Sequence, residues 1–448
     1  MKKGILTSLL LFGIIFGAGN LIFPPTLGLQ SGSEFPLAIL GFLVSDVGIS
    51  IGAIILGVMT LGGYSREIEQ KISPTFSILF LVVLYLTLGP IFAIPRTAAV
   101  SYEMGFSSFV SNNSLGLLVY SGLYFFFAYI LAIHPSGIVT SVGKVLTPIF
   151  ASLILLLVIM GVIKYAQLPS LAPYEMYQNG KALGAGFSEG YNTLDAIGAV
   201  PFSVVAISTL RQLGFKSKKE YTVTISVVGV LTALAFCLFY VGLSFLGNKF
   251  PVPQEVLSNP NMNFGIYILS ESTRQIFGDY ASIFLSVMVA VTCFTTAVGL
   301  IVATADYFAK KFPRLRYKTY VLLFTLMSFG IANIGLNQII LIAVPVLRIL
   351  GPLVIAVVWF VLINKWLPLS RLGMQMTMVT VGVISFVSVI ASIFKIDSIL
   401  TIVSYLPLSN QSMEWIMIVL LGTVLALVLP NRQKGEAFDF EQWNKFAD

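Results

Sequence analysis

Three threonines, Thr292, Thr295 and Thr296, stand at i, i+3 and i+4 within the apolar residues 291–299. They therefore share one face of a helix. Hydroxyls so placed, together with main-chain carbonyls, offer a small hard cation neutral oxygen ligands without burying negative charge. The plainer account is that each hydroxyl bonds a carbonyl of its own helix, three or four residues back. A second stretch changes the balance. Phe16-Gly17-Ala18-Gly19-Asn20-Leu21-Ile22-Phe23-Pro24-Pro25 interrupts an apolar segment that otherwise runs over 5–29. Glycine lets backbone approach a ligand closely, and proline has no N–H to give. In a bilayer each freed N–H or C=O costs several kcal/mol unless something satisfies it, so a broken helix at that depth usually lines a cavity. The competing account is a kink packed on its neighbours through small residues.

A third stretch repeats the pattern. Residues 186–201 read Gly-Phe-Ser-Glu-Gly-Tyr-Asn-Thr-Leu-Asp-Ala-Ile-Gly-Ala-Val-Pro, with Glu189, Tyr191, Asn192, Thr193 and Asp195 inside an apolar segment. Ionisable groups there are expensive and mark function, or pair with a polar neighbour to fix packing. Glu189 reads best as a loop-end carboxylate at the outer surface. Asp46, Arg96 and Arg348 are three further charges in apolar segments. Asp46 or Asp195 is a candidate proton carrier. Arg96, just after Pro95 and toward the outer end of its helix, snorkels to the surface or acts in an outer gate with Arg348.

These groups need a scaffold, and the composition names it. The chain has 448 residues, is 57% hydrophobic and carries 10% charged residues. A soluble protein carries about 25% charged residues. The chain is therefore a polytopic, all-α membrane protein. Runs long enough to cross a bilayer are expected at 5–29, 36–61, 74–101, 115–133, 141–163, 183–209, 221–246, 280–308, 319–333, 337–363, 374–394 and 399–429. An amphipathic stretch is expected over 264–277, and the residues from 431 form a tail on the membrane surface or in solution. Twelve spans put both termini on one side. With that side cytoplasmic, 19 of the 26 Lys and Arg residues fall inside, as the positive-inside rule requires. The net charge of +7 thus reads as topology, not as nucleic-acid binding. His134 is the only histidine and Cys237 and Cys293 both lie in apolar segments. A histidine metal site, a histidine-dependent triad and a disulfide framework are excluded as themes. The first break opens one set of five spans and the second opens another, the arrangement that points to a transporter site between repeats. The expected organisation is 1–165 and 183–363 as two inverted repeats, 369–430 as two appended spans, and 431–448 as a cytoplasmic tail.

Gly17-Ala18-Gly19-Asn20-Leu21-Ile22-Phe23-Pro24-Pro25, taken with Gly190-Tyr191-Asn192-Thr193-Leu194-Asp195-Ala196, resembles the bacterial branched-chain amino acid:cation symporters. These belong to the amino acid–polyamine–organocation superfamily with the leucine-transporter fold. The resemblance covers the whole chain in length and span count. It implies a five-plus-five inverted repeat with spans 1 and 6 unwound, and symport of leucine, isoleucine or valine with Na⁺. It implies that Ala18 and Gly19 N–H groups hold the substrate carboxylate. It also implies a Na⁺ site from the Gly13 and Phe16 carbonyls, the Thr292 carbonyl and the Thr295 and Thr296 hydroxyls. A second Na⁺ site would use Asn20, with Thr193. The polar string of span 6 departs from the better-known members, which leaves the second site and the stoichiometry open. A dry pocket from Tyr191, Phe294 and span 3, with Asn192 and Thr193 nearby, would take the aliphatic side chain. Such a pocket separates single methylenes by only about 1–3 kcal/mol, so overlapping use of the three amino acids is expected.

The expected function is Na⁺-coupled import of branched-chain amino acids by alternating access, as a monomer or weak dimer in a bacterial inner membrane. Proton coupling, or exchange without a cation, keeps the fold and moves the weight to Asp46 and Asp195. An enzyme or a channel fits less well: the sequence offers no nucleophile–base pairing, no metal motif and no repeated filter.

Overall fold

The computed structural model of the chain describes residues 2–106, 109, 114–134, 139–259, 262–409, 413–436 and 438–445. Helices account for nearly all of it. α1 (Lys2–Ile15) and α2 (Ala18–Ser31) are parted only by Phe16 and Gly17. α3 (Phe35–Leu43) passes through a π-turn at Val44–Gly48 into α4 (Ile49–Val58), and the short polar α5 (Gly63–Lys71) follows. α6 (Pro74–Leu86) and α7 (Ala93–Met104) are joined by a second π-turn, Thr87–Ile91. There Pro90 withholds an N–H and Gly89 leaves helical geometry, with ψ −117°. Next come α8 (Ser114–Ala132), α9 (Thr147–Tyr165), α10 (Ala182–Gly190), a 3₁₀ turn at Tyr191–Thr193, and α11 (Asp195–Gln212). α12 (Lys218–Lys249), the short α13 (Gln254–Leu257) and α14 (Phe264–Phe277) precede α15 (Ala281–Lys311). The chain ends with α16 (Tyr317–Ala332), α17 (Leu336–Trp366), α18 (Arg371–Phe394), α19 (Asp397–Ser404), α20 (Trp415–Val428) and α21 (Phe440–Lys445). Two-residue strands β1 (Leu369–Ser370) and β2 (Arg432–Gln433) pair antiparallel.

Among the described residues, eight helical stretches are long and apolar enough to cross a membrane. α10 with its 3₁₀ turn and α11 make a ninth if taken as one span bent by 45°, and three shorter apolar helices lie at Gly4–Ile15, Tyr317–Ala332 and Trp415–Val428. Leu115, Ile163, Leu234, Val379 and Val428 stand exposed on the outside of the bundle. In water such a surface would be an aggregation hazard; in hydrocarbon it is the solvent-facing side.

Helix starts follow their side chains. Ser73, Ser217 and Asn263 accept from the N–H groups of Phe76, Glu220 and Ile266, which satisfies donors that the first turn leaves free. Two expectations are corrected. The run over 399–429 is not one helix: α19 stops at Ser404 and α20 begins at Trp415. Pro407 explains the stop, since its ring would meet the carbonyl four residues back. The tail, in its described part, is not loose. Glu436 pairs with Arg66 at 3.7 Å. Trp443 is only 1% exposed, tilted against Tyr221 with ring centres 4.4 Å apart and lying beneath the Arg211 guanidinium.

The core around the first break is aromatic. Phe12 and Phe16 of the α1 end meet Phe150, Phe236 and Phe239, with ring centroids 5.0–6.1 Å apart. Elsewhere the helices touch backbone to backbone. α3 and α10 cross where Gly41 faces the Leu183 carbonyl and Gly186 faces the Ala38 carbonyl. α2 and α12 cross where Gly28 faces the Ser244 carbonyl and Gly247 faces the Pro25 carbonyl. A Cβ at any of the four would land inside the carbonyl's van der Waals shell. Small residues at crossings are how helices gain close packing in lipid, where the hydrophobic effect gives no drive. Gly186→Val is therefore expected to cost about 3 kcal/mol, the upper end for overpacking, because the obstacle is backbone. Size-exclusion of the heated, detergent-solubilised protein measures it; an unchanged aggregation temperature would refute the close contact.

Candidate functional site

The two breaks face each other at the centre of the bundle. At the first, α2 starts afresh after Gly17, and its first-turn N–H groups have no partner within the helix. One terminal donor is claimed: the Gly17 N–H donates to Asn20 Oδ1 at 2.8 Å. This places the break at residues 16–17, narrower than the expected 17–20, with Asn20 capping it from inside α2. Ala18 and Gly19 sit at the positive end of the α2 dipole, a ready anion position. Gly19 has no room for a side chain. A Cβ there would lie 2.7 Å from the Thr193 carbonyl oxygen and 2.8 Å from an Arg96 nitrogen.

At the second break Leu194 holds φ +81°, the left-handed region. For a leucine this costs about 1–2 kcal/mol and persists only where the surroundings impose it. The turn releases two carbonyls, and Arg96 takes both: Nη1 donates to Asn192 O at 3.3 Å and Nη2 to Thr193 O at 3.0 Å. Its guanidinium also lies 5.9 Å from the Phe23 ring centre. The expectation that Arg96 snorkels outward is thus overturned. At 8% exposure it is a central residue, drawn in by the carbonyls that the break frees.

Two carboxylates complete the centre. Asp46 rides on the π-turn between α3 and α4, and Thr193 Oγ1 donates to its Oδ1. The other Asp46 oxygen, Oδ2, is buried without a partner. Asp195, the first residue of α11, accepts through Oδ2 from Asn20 Nδ2 at 2.5 Å and from Tyr240 Oη at 3.0 Å. Asn20 Nδ2 also donates to Tyr240 Oη at 2.5 Å. Asn20 therefore ties the first break to the second, and Tyr240 of α12 anchors both. Tyr240 was not foreseen; a lone tyrosine in an apolar span carries no spacing signal.

The threonine face of α15 meets the first break from the other side. Thr296 Oγ1 donates to Phe16 O at 3.1 Å, across 280 residues of chain. Thr295 Oγ1 donates to Thr292 O at 2.8 Å, and Thr292 Oγ1 to Met288 O at 2.6 Å. The Thr292 and Thr295 hydroxyls are thus spent on their own helix, and of the three the Thr296 hydroxyl reaches across to the first break. All three threonines are buried. Gly13 sits against the Thr147 hydroxyl at the start of α9. That hydroxyl is buried and has no partner in the protein. The Phe16 carbonyl and the Thr296 hydroxyl, neutral oxygens from two helices, are of the kind that suits a small hard cation. Among the described residues no three His, Cys, Asp or Glu groups gather as a metal centre would need.

A small central cavity of about 20 Å³ is lined by Gly17, Ala18, Gly19, Asn20, Arg96, Thr193, Asp195 and Thr296, among others. Its apolar wall comes from Ile15, Leu88, Ala93, Phe202 and Leu300. That volume does not hold an amino acid, so this conformation is closed around the centre. Three expected residues are placed elsewhere. The Tyr191 and Asn192 side chains line a separate, larger cavity, and Asn192 Nδ2 donates to Glu189 Oε2 at 3.0 Å. The 3₁₀ turn swings them away while leaving the Asn192 carbonyl with Arg96. Phe294 packs edge-on to Tyr124, with ring centres 5.5 Å apart, and does not line the central cavity. Arg348 also lines the larger cavity, and no ion pair joins it to a carboxylate among the described residues.

The profile described as "Branched-chain amino acid transport protein" matches residues 1–433. A Staphylococcus aureus protein provisionally named a branched-chain amino acid carrier is 36% identical over 438 residues, 96% of this chain and 97% of that protein. Among solved structures, a substrate-bound, outward-open Na⁺-coupled sialic acid symporter superposes with a TM-score of 0.61 at 12% identity, covering 97% of this chain and 91% of that one. MhsT in complex with L-phenylalanine superposes with a TM-score of 0.57 at 15% identity, covering 88% and 98%. At these identities the likeness to the two structures is one of fold.

Proposed function

Because the chain belongs to the branched-chain amino acid transport protein family, a family of multi-pass membrane transporters and not of enzymes, we propose that it imports leucine, isoleucine and valine by Na⁺ symport. The observation that carries the coupling is the meeting of Phe16 O with the Thr296 hydroxyl. A cation there would join α1 to α15 through oxygens from both. The Ala18 and Gly19 N–H groups would take the substrate carboxylate, and the carbonyls of the breaks its ammonium. Ile15, Leu88, Ala93, Phe202 and Leu300 would surround its side chain. The chain would cross the cytoplasmic membrane twelve times with both termini inside, residues 1–165 and 183–363 forming inverted repeats. In alternating access the bundle of α1–α4 with α10–α12 would rock against the remainder, so that Na⁺ binding favours one arrangement over the other.

A second reading has its own observation. Asp46 and Asp195 lie buried on either side of Thr193, and Asp46 Oδ2 has no partner, which supports proton coupling in place of Na⁺. Uptake of labelled leucine into proteoliposomes separates the two. The expected result is accumulation under an inward Na⁺ gradient and background uptake under an equal K⁺ gradient. Uptake that ignores Na⁺ and follows a pH gradient would overturn the Na⁺ reading in favour of the carboxylates.

A further inference from the structure

The end of the chain lies on the face that the proposed topology places in the cytoplasm, and it is held at two places. Residues 430–436 are fixed beside the turn between α17 and α18. There β2 pairs with β1, the Ser370 hydroxyl donates to Pro430 O at 2.7 Å, and Asn364 Nδ2 donates to Gln433 O at 2.7 Å. The Gly435 N–H donates back to Asn364 O at 2.8 Å. Residues 438–443 are held elsewhere, on Tyr221 of α12 and Arg211 of α11. The Phe438 ring stacks on Tyr221 with centres 5.1 Å apart, Trp443 leans on the same ring, and the Arg211 guanidinium sits 5.5 Å from the Trp443 ring centre.

The two holdings fall on different sides of the proposed movement. α11 and α12 belong to the bundle that would rock, α17 and α18 to the remainder. Gly435 and Phe438 are three residues apart, a length of chain that reaches about 11 Å at most. An opening that carries the Asn364 side and the Tyr221 side beyond that reach breaks one of the holdings. They differ in kind. The first is a run of directed hydrogen bonds, continuous with α20. The second is ring against ring, and within it the Trp443 Nε1–H is buried with no partner among the described residues. An unpaired buried donor weighs against the seated state, because water pairs it on release. The aromatic end is therefore the one that lets go. Close by, Lys365 Nζ at the end of α17 donates to Met59 O, just past α4, at 2.9 Å, which ties the same two bodies at a second point. The aromatic seat also lies beyond residue 433, where the match to the family profile ends.

We propose that the tail beyond Pro430 is an autoinhibitory strap. With Phe438 and Trp443 seated on Tyr221 it holds the cytoplasmic side of the bundle shut, and that side opens when the aromatic end lifts away. The strap rests on the transport reading and adds to it a control on turnover: the chain's own tail restrains the step that releases substrate inside.

The test fastens the strap and then frees it. In full-length protein carrying Tyr221→Cys and Phe438→Cys, reconstituted in proteoliposomes, a short bis-methanethiosulfonate reagent is expected to bridge the two positions. Leucine uptake stops on bridging and returns with dithiothreitol. The parent, whose Cys237 and Cys293 lie within apolar helices, is the control for the reagent. Trp443→Ala, checked for folding by its size-exclusion profile, raises the initial uptake rate about three-fold, as expected where an opening step limits turnover. Bridged protein that transports at the unbridged rate overturns the strap and leaves the transport reading standing. So does a cysteine pair that the reagent does not join, or a Trp443→Ala variant no faster than the parent. A parent that takes up no leucine under a Na⁺ or a pH gradient overturns the transport reading and the strap's role with it, while the bridging still reports where the tail sits.

Discussion

Replacing Thr295 and Thr296 together by alanine is expected to bring Na⁺-driven leucine uptake down to the level seen with a K⁺ gradient. The Thr296 hydroxyl joins α15 to the first break, and the adjacent Thr295 hydroxyl bonds the Thr292 carbonyl of its own helix. A cation bound there would lose two of its five or six ligands. A hydrogen bond or dipole contact to a charged group contributes about 1.5–3 kcal/mol, so the pair amounts to about 3–6 kcal/mol. A loss of only 3 kcal/mol already weakens Na⁺ binding by more than 100-fold. Folding should survive, because each alanine removes donor and methyl together and the partner carbonyls also serve their own helices. Thr295→Ser with Thr296→Ser keeps both oxygens and should keep Na⁺ dependence. The measurement is initial uptake rate against external Na⁺ concentration, with size-exclusion profiles as the control for folding. A double-alanine variant with unchanged Na⁺ dependence would remove this cluster from the coupling mechanism.

Asp195→Ala is expected to be the most damaging single change at the centre. It leaves Asn20 Nδ2 and Tyr240 Oη without their shared acceptor. Two buried orphaned donors cost about 2–6 kcal/mol together. Asn20 also caps the first break through the Gly17 N–H, so the damage reaches both breaks. Uptake should fall to background, and the detergent-solubilised protein should aggregate at a lower temperature. Asp195→Asn separates shape from charge. It retains an acceptor oxygen and should stay within about 1 kcal/mol of the parent in stability. Under Na⁺ coupling through the threonine cluster it still concentrates leucine against a gradient. Under proton coupling through the carboxylates it exchanges leucine but does not concentrate it. Counterflow and net uptake, measured side by side, distinguish these outcomes.

Much of the fold could be read before any coordinates, for a physical reason. A bilayer forbids unpaired backbone, so every apolar run of sufficient length becomes a helix and every Gly/Pro cluster within one becomes conspicuous. Residues 264–277 were expected as an amphipathic stretch and form α14 over the same residues. The expectation failed where the deciding interaction was long-range. Nothing near Arg96 in sequence announces that carbonyls of residues 192 and 193 are its partners. Tyr191 and Asn192 belong to the right turn, yet a 3₁₀ twist of three residues sends their side chains to the other cavity. Leu194, which makes the turn, is a residue that no propensity places in the left-handed region. The tail reads equally well as a surface anchor or a disordered end, because Phe438, Asp439, Phe440, Glu441 and Trp443 mix aromatic rings with charge. The contact with Tyr221 and Arg211 lies more than 200 residues away.

The interlocked glycines of α3 with α10 and α2 with α12 also set limits on movement. Where side chains interdigitate, two helices can slide by hopping rotamers. Where Cα hydrogens of one rest against carbonyls of the other, a slide of one residue, about 1.5 Å, drives backbone into backbone. Shear within each pair is therefore closed to the protein: α2 travels with α12, and α3 with α10. Any flexing inside the proposed moving bundle falls to the joints between its helices, the Phe16–Gly17 link and the turn that ends at Leu194 among them.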